Sequence, residues 1–167
     1  MINNDYNIEN FTNPNSTYNR LSDKIKIGQL IYNVQNKNIE KVSLEILKEI
    51  IEYEKNGKGE QHFFLLGLND KWLTEIFDFN SQFVNIQNMT VFTSRKHNLK
   101  IHKVHDYRIG YTLRENSGSG NFKGKHHFKP LINTVNELMD HLYLIKREMF
   151  DFSKYDMKYI NEVISLE

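Results

Sequence analysis

From Ser22 onward, apolar residues recur at helical spacing. Ile27, Leu30, Ile31 and Val34 fall on one face, with Ser22 placed to cap the segment. Asn36-Lys37-Asn38 interrupts the pattern. Ile39, Val42, Ile46, Leu47, Ile50 and Ile51 then make a second stripe, which Asn56-Gly57 ends by left-handed C-terminal geometry. The two stripes predict an N-terminal helical hairpin. At Gln61 the period changes to that of strands. His62-Phe63-Phe64-Leu65-Leu66 is a short apolar run, and Asn69-Asp70 signals a turn. Over residues 72–79 the alternation of Trp72, Thr74, Ile76 and Asp78, after that turn, favours a strand. Trp72, Ile76 and Phe79 also fit a helical face. Met89 to Ser94 and Leu99 to Leu113 read as strands, joined by Arg95-Lys96-His97-Asn98. The second alternates in two phases (Leu99 and Ile101 first, then Tyr107, Ile109, Tyr111 and Leu113), which a bulge near His102-Lys103 reconciles.

The three glycines in residues 115–125 predict a loop, and residues 126–129 a last short strand ended by Pro130. Thr134-x-x-Glu137 is a capping box. It opens a helix with Val135, Leu138, Met139, Leu142, Ile145 and Met149 on its stripe. Ser153-x-x-Asp156 opens a final helix bearing Ile160, Val163, Ile164 and Leu166. The expected fold class is therefore α+β. An N-terminal helical hairpin precedes a central, mainly antiparallel sheet of about four to six strands, and two C-terminal helices pack on one face of that sheet. Residues 1–20, polar and rich in Asn, read as a flexible arm, and residues 21–167 as a single domain.

Composition narrows this picture by exclusion. The chain has no cysteine, so disulfides, thiolate metal sites and cysteine nucleophiles are ruled out, and a reducing compartment such as the cytoplasm suits it. No apolar run approaches the length of a membrane span, and the N-terminus lacks the apolar stretch of a secretory signal. There are 21 Asn and no Ala. Asn, Lys, Ile, Tyr and Phe have AT-rich codons and Ala GC-rich ones, which points to an AT-rich genome such as that of a low-GC bacterium, its phages or its mobile elements.

Charge changes the picture more. Residues 95–129 hold nine Lys/Arg and two acids, a net +7, while the remaining 132 residues carry 13 basic and 19 acidic groups, a net −6. Five of the seven histidines (His97, His102, His105, His126 and His127) lie in the same block. Such a block suits a polyanion, because each Lys or Arg on a phosphate releases counterions and adds salt-dependent affinity. The expected contact residues are Arg95, Lys100, Lys103, Arg108, Arg114, Lys123, Lys125 and Lys129. Tyr111 joins them, because aromatic rings interleaved with cations can stack on unpaired bases. The expected partner is nucleic acid or a nucleic-acid-handling host protein, contacted in an accessory or inhibitory role.

Two other readings fit the same block or the whole chain. Metal-free RNA cleavage needs a general base, a general acid and a cation beside the phosphorus. His105, His126, His127 and Lys125 supply those types, and Gly124 to His127 resembles the Gly-x-His-His stretch of HicA-type toxin ribonucleases. The resemblance is confined to that fragment and implies a metal-independent ribonuclease. The other reading is an immunity or inhibitor protein that blocks an enzyme sterically. No cofactor or metal is expected, since adjacent histidines on a strand point to opposite faces. Ser117-Gly118-Ser119-Gly120 lacks the Lys-Ser/Thr ending of a phosphate-binding loop. The second predicted helix is too acidic to lie against DNA as a recognition helix. The stripe from Val135 is read as core, with a partner or homodimer face as the alternative.

Overall fold

A computed structural model describes residues 8–9, 20–57, 61–97, 99–104, 111–115, 131–146 and 157–164. The chain is α+β, with antiparallel pairing throughout the described strands. It divides into two compact units. Met1–Asn69 and Thr134–Glu167 form the first, and Asp70–Asn133, which lies between them in sequence, forms the second.

The first unit holds strands β1 (Ile8–Glu9), β2 (Leu30–Asn33), β3 (Asn38–Lys41) and β4 (Phe63–Leu66) in the order β1-β4-β2-β3. The expected helical hairpin is corrected here. Its first half is the β2–β3 hairpin, and only its second half is helical. Leu30 and Ile31 are consecutive and both fully buried, so both faces of β2 are covered. A strand buried on both faces loses its alternation, and its apolar run can then imitate a helical stripe. Ile27 and Val34, which completed that stripe, are 58% and 40% exposed. Asn36 and Lys37 sit in the hairpin turn, where Asn33 Oδ1 accepts from the N–H groups of Gln35 and Asn36 at 3.0 and 3.2 Å and Lys37 takes a φ of 53°.

Helix α1 (Leu44–Asn56) begins at Ser43, whose Oγ accepts from Ile46 N–H at 3.2 Å. It ends as expected at Gly57, in the left-handed region with φ 58°, whose N–H donates to Tyr53 O at 2.9 Å. Ile50, with Ile46 and Leu47 beside it, packs on Leu21, Ile31, Phe63 and Leu65. Ser22 caps no helix. Its N–H and Oγ both donate to the Glu54 carboxylate, near the end of α1.

Helices α2 (Val135–Lys146) and α3 (Met157–Val163) pack on β4 and β3 respectively. The capping box forms as expected. Glu137 N–H donates to Thr134 Oγ1 at 3.1 Å, and Thr134 N–H to Glu137 Oε2 at 3.4 Å. Val135, Leu138, Met139 and Leu142 are buried, as are Ile160 and Ile164 of the last segment. Each helix also sends an Asn to a strand backbone. Asn136 accepts from Leu30 N–H at 3.2 Å and donates to Leu30 O at 2.9 Å. Asn161 accepts from Ile39 N–H at 2.7 Å and donates to Ile39 O at 3.0 Å. These amides satisfy backbone groups as a further strand would. The expected opening of the last helix at Ser153 to Asp156 lies outside the described residues.

In the second unit, residues 70–76 form a wide helical turn rather than the expected strand. Phe77 N–H donates to Trp72 O at 2.9 Å, five residues back. Trp72, Leu73, Ile76 and Phe77 are all buried, a spacing that only a helical turn brings to one side. Strands β5 (Asn80–Val84), β6 (Met89–Ser94), β7 (Leu99–Val104), β8 (Tyr111–Glu115) and β9 (Leu131–Ile132) follow as a meander in chain order. The long strand expected over Leu99 to Leu113 is two strands. Its phase change reflects a chain reversal, with His102 opposite Thr112 and Leu99 opposite Glu115. Phe92, Leu99, Ile101, Tyr111 and Ile132 share the buried face. The last strand expected at residues 126–129 lies outside the described residues. Among those described, no helix is long and apolar enough to cross a membrane.

Candidate functional site

The whole of the basic block falls in the second unit. Asp70–Asn133 carries ten Lys/Arg against five Asp/Glu, a net +5, and the rest of the chain twelve against sixteen, a net −4. The unit boundary thus coincides with a change in the sign of charge.

Within the five-stranded sheet, register sorts the cations by face and by end. Residues directly opposite in an antiparallel ladder share a face. Ile101 and Lys103 alternate with Lys100 and His102, so Lys103 belongs to the face that buries Phe92 and Tyr111. Lys100 belongs to the other face. There it lies opposite Thr93 on one side and opposite position 114 on the other, with the half-buried His102 and Thr112 as the next pair along. Arg95 and Lys96 are exposed in the β6–β7 turn, at the same end of the sheet as Lys100. Glu115, opposite Leu99, also lies at that end.

Lys103 and Tyr111, both expected to bind, have another role. Asp70 Oδ1 accepts from Lys103 Nζ at 2.9 Å and from Tyr111 OH at 2.5 Å. Lys103 Nζ also lies 5.4 Å from the centre of the Tyr111 ring. The Tyr111 ring is buried and meets Phe92 edge-on at 5.9 Å, so it offers no open face for a base. Burial first, and then the Asp70 carboxylate beside it, push the Tyr111 phenol far above its usual range. It is therefore a donor, never a base, at neutral pH. This trio ties the helical turn at Asp70 to β7 and β8, and Lys103 enters it with its charge already compensated. Asp70 is the residue that sequence reasoning missed, because it meets its partners 33 and 41 residues away with no local signal.

The histidines divide similarly. His97 is buried in the β6–β7 turn, its N–H donating to Ser94 Oγ at 3.1 Å and its ring stacked with Phe79 at 6.5 Å. Outside the block, His62 pairs with Glu49 at 2.9 Å. His105, His126, His127 and Lys125, the candidate nuclease set, lie outside the described residues, as do Arg108, Lys123 and Lys129. For Arg114 the description extends to its backbone and its place in the ladder. Among the described residues no three His, Asp or Glu converge as metal ligands would. Comparison of the chain with protein families, with curated proteins and with solved structures finds no match.

Proposed function

We propose that the chain is a small binding protein, of the kind that phages and mobile elements encode, which contacts the phosphate backbone of nucleic acid through its basic second unit. The observation that carries this reading is the match between the charge boundary and the unit boundary. An acidic frame carries a basic insertion whose Arg95, Lys96 and Lys100 gather at one end of a sheet. Clustered cations raise the local concentration of a polyanion and steer its approach. A cytoplasmic site of action suits the cysteine-free composition. The role is accessory or inhibitory, occupying nucleic acid rather than transforming it.

The test is binding to labelled RNA and DNA across a salt series. Affinity should fall linearly with the logarithm of salt concentration. Arg95→Ala and Lys100→Ala should each flatten that slope, by about 0.9 for a duplex if each makes one phosphate contact. Lys103→Ala, whose charge Asp70 already meets, should leave the slope where it is. Binding that is absent, or that ignores salt, removes the reading.

A further inference from the structure

We infer that the face of the five-stranded sheet opposite Phe92 and Tyr111 carries a seat for a phosphate group, built around the directly opposed positions Lys100 and Arg114 and flanked by positions Thr93 and Thr112. The inference rests on the nucleic-acid reading for the source of its ligand, but not for its chemistry.

Lys100 and Arg114 are cross-strand partners in the β7–β8 ladder, and directly opposed residues hold their Cβ atoms about 5 Å apart. Like charges at directly opposed positions are generally destabilising, and an anion held between them would offset that cost. None of the described positions on this face of the sheet is an acid. Among the described residues Lys100 makes no ion pair with a carboxylate. The same unit shows the alternative treatment of a cation at Lys103, which is met by Asp70 on the other face. The residue types also suit a phosphate. A guanidinium presents a planar fork for two phosphate oxygens, an ammonium adds a point charge, and hydroxyls at positions 93 and 112 can donate to the remaining oxygens. A bound phosphate therefore removes a repulsion as well as making contacts.

The experiment is thermal unfolding of the full chain and of Lys100→Gln, Arg114→Gln and Lys100→Arg, combined with oligonucleotide binding. Each is melted in sodium chloride, in sodium phosphate at matched ionic strength, and with a short labelled oligonucleotide. Either Gln variant should melt above the wild type in chloride, because neutralising one charge relieves the repulsion. Phosphate should raise the melting temperature of the wild type and of Lys100→Arg but not of the Gln variants. Oligonucleotide affinity should fall at least several-fold in the Gln variants and persist in Lys100→Arg. Gln variants that melt lower than wild type and still respond to phosphate overturn the seat. Oligonucleotide binding undiminished in both Gln variants overturns it too, while leaving the nucleic-acid reading standing. A phosphate response that Lys100→Gln abolishes, with no oligonucleotide bound by any form, supports the seat, makes its ligand a small phosphorylated compound and removes the nucleic-acid reading.

Discussion

Asn136→Ala should destabilise the first unit by an amount that its hydrogen bonds set. Asn136 is 2% exposed, and it pairs with both backbone groups of Leu30, itself fully buried. Truncation leaves one N–H and one C=O buried without partners, each costing about 1–3 kcal/mol. A water entering the space left by the amide would recover part of this, so we expect a net loss of about 2–4 kcal/mol, a large share of the stability of a small domain. Urea unfolding should be followed with two probes. Far-UV ellipticity reports the helices, most of which lie in the first unit, and fluorescence reports Trp72, the only tryptophan, in the second. If the units unfold independently, the ellipticity midpoint falls and the fluorescence midpoint stays. If they unfold together, both fall. Tyr143→Ala, at a half-exposed position on the same helix, is the control and should stay within about 0.5 kcal/mol. A loss below about 0.5 kcal/mol for Asn136→Ala in either signal refutes the claim that the amide stands in for a strand. Asn136→Asp adds a pH signature. Its carboxyl, facing the Leu30 carbonyl, would be pushed above the usual value of about 4, and its protonated form donates as the amide does. Stability is then nearest to wild type below about pH 4 and is lost as pH rises through the folded-state value.

Tyr111→Phe removes the donor to Asp70 and should cost about 1–2 kcal/mol at neutral pH. Because the folded phenol titrates above its unfolded value, its contribution is complete below about pH 10 and fades above, so the gap between wild type and variant should narrow there; a constant gap in urea midpoint counts against the assignment. Thr134→Ala should lower stability by about 1 kcal/mol through loss of the capping box, and Thr134→Ser should restore most of it, as read by ellipticity melts; equal losses in both refute the hydroxyl's role.

What was legible in the sequence was local. Thr134 and Glu137 cap α2 across one turn, and Gly57 ends α1 because its backbone takes φ 58° without a Cβ to resist. Ser43, followed by an acid at Glu45, carried the same kind of signal for the true start of α1, and the stripe running through from Ile39 masked it. What failed depended on partners distant in sequence. Leu30 and Ile31 are buried on opposite faces because β3 and β4 flank β2 and helices cover the sheet, a fact no window around residue 30 contains. Strand β5 has the opposite difficulty. Asn80, Ser81, Gln82 and Phe83 are all exposed, so no apolar pattern announces it, and it exists because β6 offers a complete ladder.

The candidate site shows how the same limit bears on function. A count of Lys and Arg treats every cation in residues 95–129 as equivalent, yet a strand alternates its side chains, and a ladder decides which partners they meet. Lys100 and Lys103 are three residues apart and therefore on opposite faces. One is opposed by another cationic position, and the other is held by a carboxylate from 33 residues earlier. The net charge of the block predicts attraction to a polyanion, but not which cations deliver it. That depends on which charges the fold leaves uncompensated. Position 100 is opposed by position 114, another basic residue in the sequence, whereas Lys103 is met by Asp70, and the proposed phosphate seat assigns an anion to the first position and stability to the second. The two roles make opposite demands on mutation. Removing a charge at Lys100 should stabilise the empty protein and weaken binding, whereas removing one at Lys103 should weaken the fold and spare binding. Only an assay that reads stability and affinity on the same variants can tell the two kinds of lysine apart.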